Sequence, residues 1–87
     1  MNLLSALKAL ADENRLKIIV LLGRENFCVN ALAHRLELSE AAVSQHLKVL
    51  KQTGWIKGEI EGPAVCYCLK KEAVENYKKL FQIALEA

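Results

Sequence analysis

Residues 39–56 place aliphatic and polar side chains at the spacing of an α-helix, and this pattern constrains the fold of the 87-residue chain more than any other feature. The aliphatic positions fall on one side of the helix and must face a core, whereas the polar positions project away from it. Ser39 supplies a side-chain oxygen for the N-cap and Gly54 supplies a C-terminal stop, so the segment is bounded by its own sequence. The inward positions are Ala42, Val43, Leu47 and Leu50, and the outward positions are Glu40, Ser44, Gln45, Lys48 and Lys51.

The outer face of this helix has the composition of a surface that reads DNA. Polar side chains such as Ser44 and Gln45, on the N-terminal half of a helix, can reach base edges in a major groove. In an isolated helix the same pattern more often marks a solvated surface. The surrounding elements must therefore decide between the two interpretations.

Chain length and composition favour one small domain that pairs with a second copy. Residues 1–87 are too few for two cores, and we expect a single domain. A hydrophobic fraction of 53% with only 6% aromatic residues is high for this size and indicates apolar surface buried in a homodimer. The longest aliphatic run, residues 18–22, is far below the roughly 20 residues that span a bilayer, and the N-terminus lacks a signal pattern. We therefore expect a cytoplasmic protein without membrane contact.

The first two helices are predicted from aliphatic residues at helical spacing. Residues 3–11 make a short amphipathic helix, and residues 13–22 make a second one. The residues of the second helix that are predicted to face the core are Leu16, Ile19 and Val20.

A short strand and a third helix lead into the helix described first. Residues 27–29 are β-prone and too few for a helix, which predicts a brief strand. Asn30 is predicted to cap a third helix over residues 31–36, and residues 38–39 make a tight step into the next helix. This arrangement is a helix-turn-helix.

After Gly54 the pattern takes the period of a strand. Residues 55–60 and 65–69 flank residues 61–63 (EGP), a turn by composition, and predict a β-hairpin, the wing. From Lys70 onward an apolar stripe at helical spacing predicts a last helix, which with the first helix is predicted to form the homodimer surface. The fold is thus predicted to be mainly α with a small β-hairpin (α+β), a dimeric winged helix-turn-helix. The stripe consists of Val74, Tyr77, Leu80, Phe81, Ala84 and Leu85.

The chain resembles the ArsR/SmtB metalloregulators, dimeric winged helix-turn-helix repressors of bacteria and archaea, over nearly its whole length. Residues 7–19 (LKALADENRLKII) resemble the opening signature of the family. Residues 38–39 (LS), 43–47 (VSQHL), Leu50 and 54–56 (GWI) resemble its recognition helix. The resemblance implies a repressor that binds a double-stranded DNA operator as a homodimer.

The resemblance also implies which residues contact DNA. His46 fits a second role, because a lone histidine can equally pack within the fold. Arg15 fits either packing between the first two helices or an approach to DNA, and His34 is interpreted as structural or solvent-facing. The residues implied to face the groove are Ser39, Ala42, Ser44, Gln45 and His46, and those implied to face phosphates are Lys48 and Lys51.

Two departures from the family pattern affect this surface. Glu37 occupies a turn position where the family often has glycine, at a cost of up to ~1 kcal/mol if the backbone there is left-handed. The hairpin carries Glu59 and Glu61, and its single cation is Lys57. We therefore expect wing contacts with phosphate, made through Lys57, to be weak.

The effector sites implied by the resemblance are incomplete in this chain. Family members bind metal or metalloid ions by cysteine pairs near the third helix, or by Asp and His on the last helix. Cys28 keeps the first cysteine of a Cys-Val-Cys pattern, but Asn30 replaces the second. The last helix has no histidine, so a zinc site there is not expected.

Strand geometry predicts a different ion site. Cys66 and Cys68 are two residues apart in a strand and so point to one side. The alternate residues Val65, Tyr67 and Leu69 point to the core. If the strand before the third helix pairs with this strand and Val29 faces inward, Cys28 faces outward beside them. Opposed cross-strand residues have Cβ atoms ~5 Å apart, so three sulfurs can meet one soft ion such as arsenite. No other cofactor is expected.

Two other roles for the cysteines stay open. They can be small apolar fillers of the core. They can also sense thiol oxidation, because three cysteines without an export signal favour reduced thiols rather than a disulfide framework. Cys66 and Cys68 would lie ~6.5–7 Å apart, at the limit of disulfide geometry, so Cys28 would have to be the partner.

Other function classes are weaker interpretations. A winged-helix protein-interaction module without DNA binding is consistent with the acidic hairpin and the net charge of only +2. The polar face with Ser44, Gln45 and His46 argues against it. An enzyme is not expected, because the sequence offers no acid–base or nucleophile constellation and no Cys-x-x-Cys motif.

Overall fold

The computed structural model describes residues 2–86, except for the side chain of Glu61, and in them it contains five helices and a three-stranded sheet. The order along the chain is α1, α2, β1, α3, α4, β2, β3, α5, which is the winged helix-turn-helix predicted from the sequence. No helix among residues 2–86 is both long and apolar enough to span a bilayer. The elements are α1 (Leu3–Leu10), α2 (Glu13–Leu22), β1 (Phe27–Cys28), α3 (Val29–Leu36), α4 (Glu40–Gln52), β2 (Ile56–Glu61), β3 (Ala64–Leu69) and α5 (Lys71–Glu86).

The ends of α4 are set by the residues predicted to set them. Ser39 is the N-cap, and its Oγ accepts a hydrogen bond of 3.1 Å from the backbone N–H of Ala42. Gly54, two residues past the end of α4, has a φ of 86°, a left-handed conformation that glycine adopts without steric cost. The bounds predicted for α4 from the sequence are thus confirmed to within a few residues.

The turn between α3 and α4 has the left-handed residue that the sequence analysis considered. Glu37 lies at φ 56° and ψ 43° as the C-cap of α3. The N–H of Leu38 donates to the carbonyl of Ala33 at 3.0 Å, which closes the end of α3. A glutamate in this conformation is strained relative to glycine by up to ~1 kcal/mol.

The core lies where α2, α3, α4 and the base of the wing meet. Predicted core residues Val43, Leu47 and Leu50 of α4 are buried, whereas Ala42 is only half-buried. The largest side chains that are fully buried are Ile18, Leu32, Leu47, Leu50, Ile56 and Val43.

The predicted core face of α2 is wrong at Leu16 and Val20, whereas Ile19 is half-buried and packs against the core as predicted. Leu16 is 48% exposed and Val20 is 51% exposed, whereas Ile18 and Leu22 are buried against the core. Residues 18–22 are all aliphatic, so the sequence of α2 has little periodicity and does not by itself specify the inward side. Packing against neighbouring elements decides it.

The start of α3 also differs from the prediction. The helix begins at Val29, Cys28 is its N-cap, and Asn30 lies inside the first turn instead of capping the helix. Because β1 has only two residues and runs directly into α3, the helix starts before Asn30 is reached.

The sheet is antiparallel, with strand order β1-β3-β2. Phe27 pairs with Tyr67, and Cys28 pairs with Cys66. Tyr67 and Leu69 pack against the core as predicted. Val65, predicted to point inward, is 45% exposed, and Cys66, predicted to lie on the outward side, is only 6% exposed. The pairing of β1 ends at Cys66, so Val65 lies beyond it toward the turn, where β1 no longer borders β3.

Candidate nucleic-acid interface

The outward side of α4 is a continuous exposed surface. Ala41, Gln45, Lys48 and Gln52 are exposed and follow one another at intervals of three or four residues, which places them on one line along the helix. A straight helical face of this kind can lie along a major groove.

Two residues on this line, Ala41 and Gln52, were not predicted from the sequence to contact DNA. Ala41 and Gln52 lie on the same exposed line as Gln45 and Lys48, but neither was named as a candidate contact. The spacing of i, i+4, i+7 and i+11 from Ala41 is the signal that would have found them.

Exposed polar residues flank the line on one side. Ser44 and Lys51 are exposed, as a DNA contact requires. Ser39 is also exposed at the start of α4, but its hydroxyl oxygen accepts the Ala42 N–H, so capping occupies part of its hydrogen-bonding capacity. Ala42 is half-buried, which leaves only part of its surface available to a ligand.

His46 lies at the edge of this surface, half-buried and near the start of α2. The pKa of Asp12 is held below its ordinary value, first because its carboxylate accepts the backbone N–H of Arg15. Burial opposes this shift, and the Arg15 guanidinium, the His46 side chain and the N–H of Asn14 add to it. His46 is therefore close enough to Asp12, the N-cap of α2, to influence its pKa.

Arg15 packs the first two helices together. Its Nε donates to the carbonyl of Ala9 in α1 at 2.6 Å, and its guanidinium lies 3.9 Å from the Asp12 carboxylate. Of the two roles left open for Arg15, the structure supports helix packing.

The wing presents little positive charge. Lys57 Nζ lies 3.4 Å from a carboxylate oxygen of Glu59, and both side chains are about half-exposed. A phosphate would have to compete with this carboxylate for Lys57.

The predicted ion-binding cysteines are close in the sheet. Cys28 and Cys66 are joined by a disulfide across β1 and β3, and Cys68 is two residues along β3, with its sulfur 3.8 Å from a carboxylate oxygen of Glu59. Among the side chains that the structure describes, which exclude Glu61, no group of three or more His, Cys, Asp or Glu residues is arranged to hold a metal ion. The three-sulfur site therefore stays a prediction, and it concerns the reduced protein.

Comparison with known proteins places the chain in a family. The model of bacterial regulatory proteins of the arsR family matches residues 12–57. The transcriptional activator HlyU of Vibrio cholerae is 41% identical over 69 residues, 79% of this chain. A cadmium resistance transcriptional regulatory protein, a CadC homolog of Staphylococcus aureus, is 40% identical over 77 residues, 87% of this chain. The chain spans 64% of the length of each of these two relatives.

Solved structures have the same fold. An ArsR-like transcriptional regulator from Rhodococcus sp. RHA1 superposes with a TM-score of 0.84 at 30% identity, over 97% of this chain and 80% of that one. A homodimeric winged helix-turn-helix DNA-binding domain from Mycobacterium bovis gives 0.77 at 29% identity, over 94% and 76% of the two chains. With its five helices, its three-stranded sheet and the matched residues 12–57, this chain belongs to the ArsR family of bacterial regulatory proteins.

Proposed function

We propose that the protein is a transcriptional repressor that binds double-stranded DNA through α4. The observation that carries the proposal is the exposed polar line of α4, held outward by a fully buried aliphatic face. The first helix of the helix-turn-helix, α3, packs behind α4 through Leu32 and Ala33. This is the supporting role that the first helix has in such a motif. In this proposal Ser39, Ala42, Ser44, Gln45 and His46 face the groove, and Lys48, Lys51 and Lys57 face phosphates.

The repressor acts as a homodimer through α1 and α5. Exposed aliphatic and aromatic side chains on the protomer support this, because they need cover in water: Leu4 on α1, and Phe81, Ile83 and Leu85 on α5. The related M. bovis domain is described as homodimeric. Two recognition helices related by a twofold axis would contact successive major grooves of a near-palindromic site.

The effector in this proposal is a thiophilic ion such as arsenite, bound by Cys28, Cys66 and Cys68. The donor set fits a soft ion once the disulfide is reduced, because the first two cysteines are directly opposed and the third is two residues along the same strand. Ion binding would weaken DNA affinity if the bound form favours a dimer less suited to the operator. A relative named for cadmium resistance supports a thiophilic effector for this family.

Selection from a random-sequence duplex library tests the DNA-binding function. The chain should enrich duplexes that share a near-palindromic motif, and it should bind them at least ~10³-fold more tightly than random duplex at physiological salt. Fluorescence anisotropy of the enriched duplex, with a scrambled duplex as the control, gives the ratio. Failure to enrich any motif, with equal binding to both duplexes, would contradict the proposal and favour a protein-interaction module.

A further inference from the structure

The disulfide between Cys28 and Cys66 joins two parts of the fold that have different roles. Cys28 ends β1 and is the N-cap of α3, where the helix-turn-helix begins. Cys66 lies in β3, the second strand of the wing. The bridge therefore ties the start of the helix-turn-helix covalently to the wing.

The segment enclosed by the bridge contains every proposed DNA contact. The two cysteines are 38 positions apart, and α3, α4 and β2 lie between them. The proposed contacts all fall between Ser39 and Lys57. Fixing the ends of this segment restricts the recognition helix and the wing relative to each other.

Apart from the bridge, the pairing between β1 and β3 is short. It consists of two residue pairs, Phe27 with Tyr67 and Cys28 with Cys66. Phe27 is buried, and the Arg35 guanidinium lies 5.3 Å from the centre of its ring. Because the ladder between β1 and β3 is only two residue pairs long, the disulfide adds a covalent constraint to a short noncovalent pairing.

We propose that oxidation of Cys28 and Cys66 to this disulfide preorganises the DNA-binding surface, so that the oxidised protein binds its operator more tightly than the reduced protein does. The proposal rests on the DNA-binding function above and assigns its regulation to one cysteine pair. The physical reason is that a surface already fixed in its bound arrangement loses less conformational freedom on binding. Reduction restores that freedom and also makes both sulfurs available to a thiophilic ion. Loss of the disulfide and binding of the ion therefore both lower the affinity for DNA.

The oxidation is a two-electron step with peroxide as the oxidant. Cys28 is half-buried and Cys66 is buried, so the Cys28 thiolate is the accessible nucleophile. It attacks one peroxide oxygen, the O–O bond breaks, a sulfenic acid forms on Cys28, and the leaving hydroxide takes up a proton as water. The Cys66 sulfur then attacks the Cys28 sulfur, the S–O bond breaks, and a second water leaves with the thiol proton.

The test compares the whole chain in two redox states. One sample is reduced with a phosphine and the other is oxidised with stoichiometric peroxide. Mass spectrometry verifies the redox state of each by the mass difference of two hydrogens, and each is then titrated into the selected duplex. We expect the oxidised protein to bind at least about fivefold more tightly. Cys28→Ser should remove this response, whereas Cys68→Ser, the matched control in the same sheet, should retain it.

The outcomes separate this inference from the proposed function. Selective binding with equal affinity in both states, or weaker binding by the oxidised protein, would overturn the inference and leave the DNA-binding function standing. Absence of selective binding in either state would overturn both. If Cys28→Ser fails to give a native circular dichroism spectrum, the comparison of oxidised and reduced wild type, with Cys68→Ser beside it, still decides the question.

Discussion

The indole Nε1 of Trp55 donates a hydrogen bond of 2.9 Å to the backbone carbonyl of Ala6, which lies 49 residues earlier in the chain. Trp55 follows α4 closely and Ala6 lies in α1, so this bond fixes the end of the recognition helix to the first helix. Tyr77 of α5 adds a second attachment. Its ring lies 4.6 Å from the Trp55 ring, and its hydroxyl donates to the carbonyl of Thr53 at 2.5 Å. The two helices proposed to form the dimer therefore also hold the C-terminal end of α4.

Trp55→Phe should destabilise the protein. The substitution removes the indole donor from the carbonyl of Ala6, a hydrogen bond worth about 0.5–1.5 kcal/mol, in addition to the packing lost with the smaller ring. Urea unfolding followed by circular dichroism measures the free energy. Tyr77→Phe is the companion variant, since it keeps the ring contact with Trp55 and removes only the hydroxyl bond to Thr53. An unchanged free energy of unfolding in Trp55→Phe would show that the bond to Ala6 contributes nothing.

Phe81→Glu should convert the homodimer to a monomer. Phe81 is 44% exposed on the protomer, so a glutamate there leaves the protomer core intact but places an unpaired charge in the proposed interface. Leu80 is a weaker choice, because it packs against the core and its substitution would mix folding with dimerisation. Sedimentation velocity at micromolar concentration gives the oligomeric state.

Gln82→Glu is the control for this experiment, because Gln82 is an exposed polar residue of the same helix. It should remain dimeric. A wild-type protein that sediments as a monomer at micromolar concentration would contradict the dimer itself.

Substitutions on α4 should separate base contacts from phosphate contacts. Ser44→Ala and Gln45→Ala should each weaken binding to the selected duplex by ~1–3 kcal/mol while changing random-duplex binding little, because base-edge contacts carry discrimination. Lys48→Ala and Lys51→Ala should weaken binding to both duplexes and lower the slope of log affinity against log salt concentration by about one each. Anisotropy titrations at several salt concentrations give both quantities. An equal loss on both duplexes for all four variants would rule out this division of roles.

Asp12 should make the free energy of unfolding depend on pH in the acidic range. Its pKa is lowered in the folded state, so its stabilising effect is complete above the ordinary value of 3.8 and is lost as the pH falls through the lower folded-state value. Asp12→Asn keeps a side-chain acceptor for the N-cap of α2 but removes the charge. At neutral pH the wild type should be more stable than this variant by about 0.3–1 kcal/mol, the usual contribution of an anion at a helix N-terminus.

The difference between wild type and Asp12→Asn should disappear in acid. Chemical unfolding at a series of pH values below neutrality measures it. A difference that does not depend on pH would show that the Asp12 charge does not contribute to stability.

The fold was predictable wherever a local signal had a single interpretation. Helix α4 begins after Ser39 and ends before Gly54, as predicted. The residues of α4 that face the core repeat at a clear helical period. In α2, by contrast, the aliphatic run gives no preferred side, so only packing against α4 and β3 shows that Ile18 rather than Leu16 is buried. The N-cap role of Cys28 depends on how far β1 extends, which pairing with β3 decides.

The candidate site was partly predictable for the same reason. Exposure of Ser44, Gln45, Lys48 and Lys51 follows from helical geometry alone and agrees with the structure. The opposed positions of Cys28 and Cys66 followed only from an assumed register between two strands far apart in sequence, and the burial of Cys66 and the exposure of Val65 were not predicted. Pairing between strands far apart in the chain has no local signal in the sequence, so the register of β1 and β3 is known only from the structure.

Arsenite should bind the reduced protein through its three cysteines and weaken its affinity for the selected duplex. The prediction depends on reduction, because a sulfur of Cys28 or Cys66 that is held in the disulfide is not available as a thiolate ligand. Titration of phosphine-reduced protein with arsenite, followed by thiolate absorbance and by DNA anisotropy, measures binding and its effect. Oxidised wild type is the control and should bind little arsenite. Cys28→Ser, Cys66→Ser and Cys68→Ser should each bind more weakly than wild type, since each removes one of three sulfur ligands. If all three variants take up arsenite as wild type does, the cysteines are packing residues and the effector binds elsewhere.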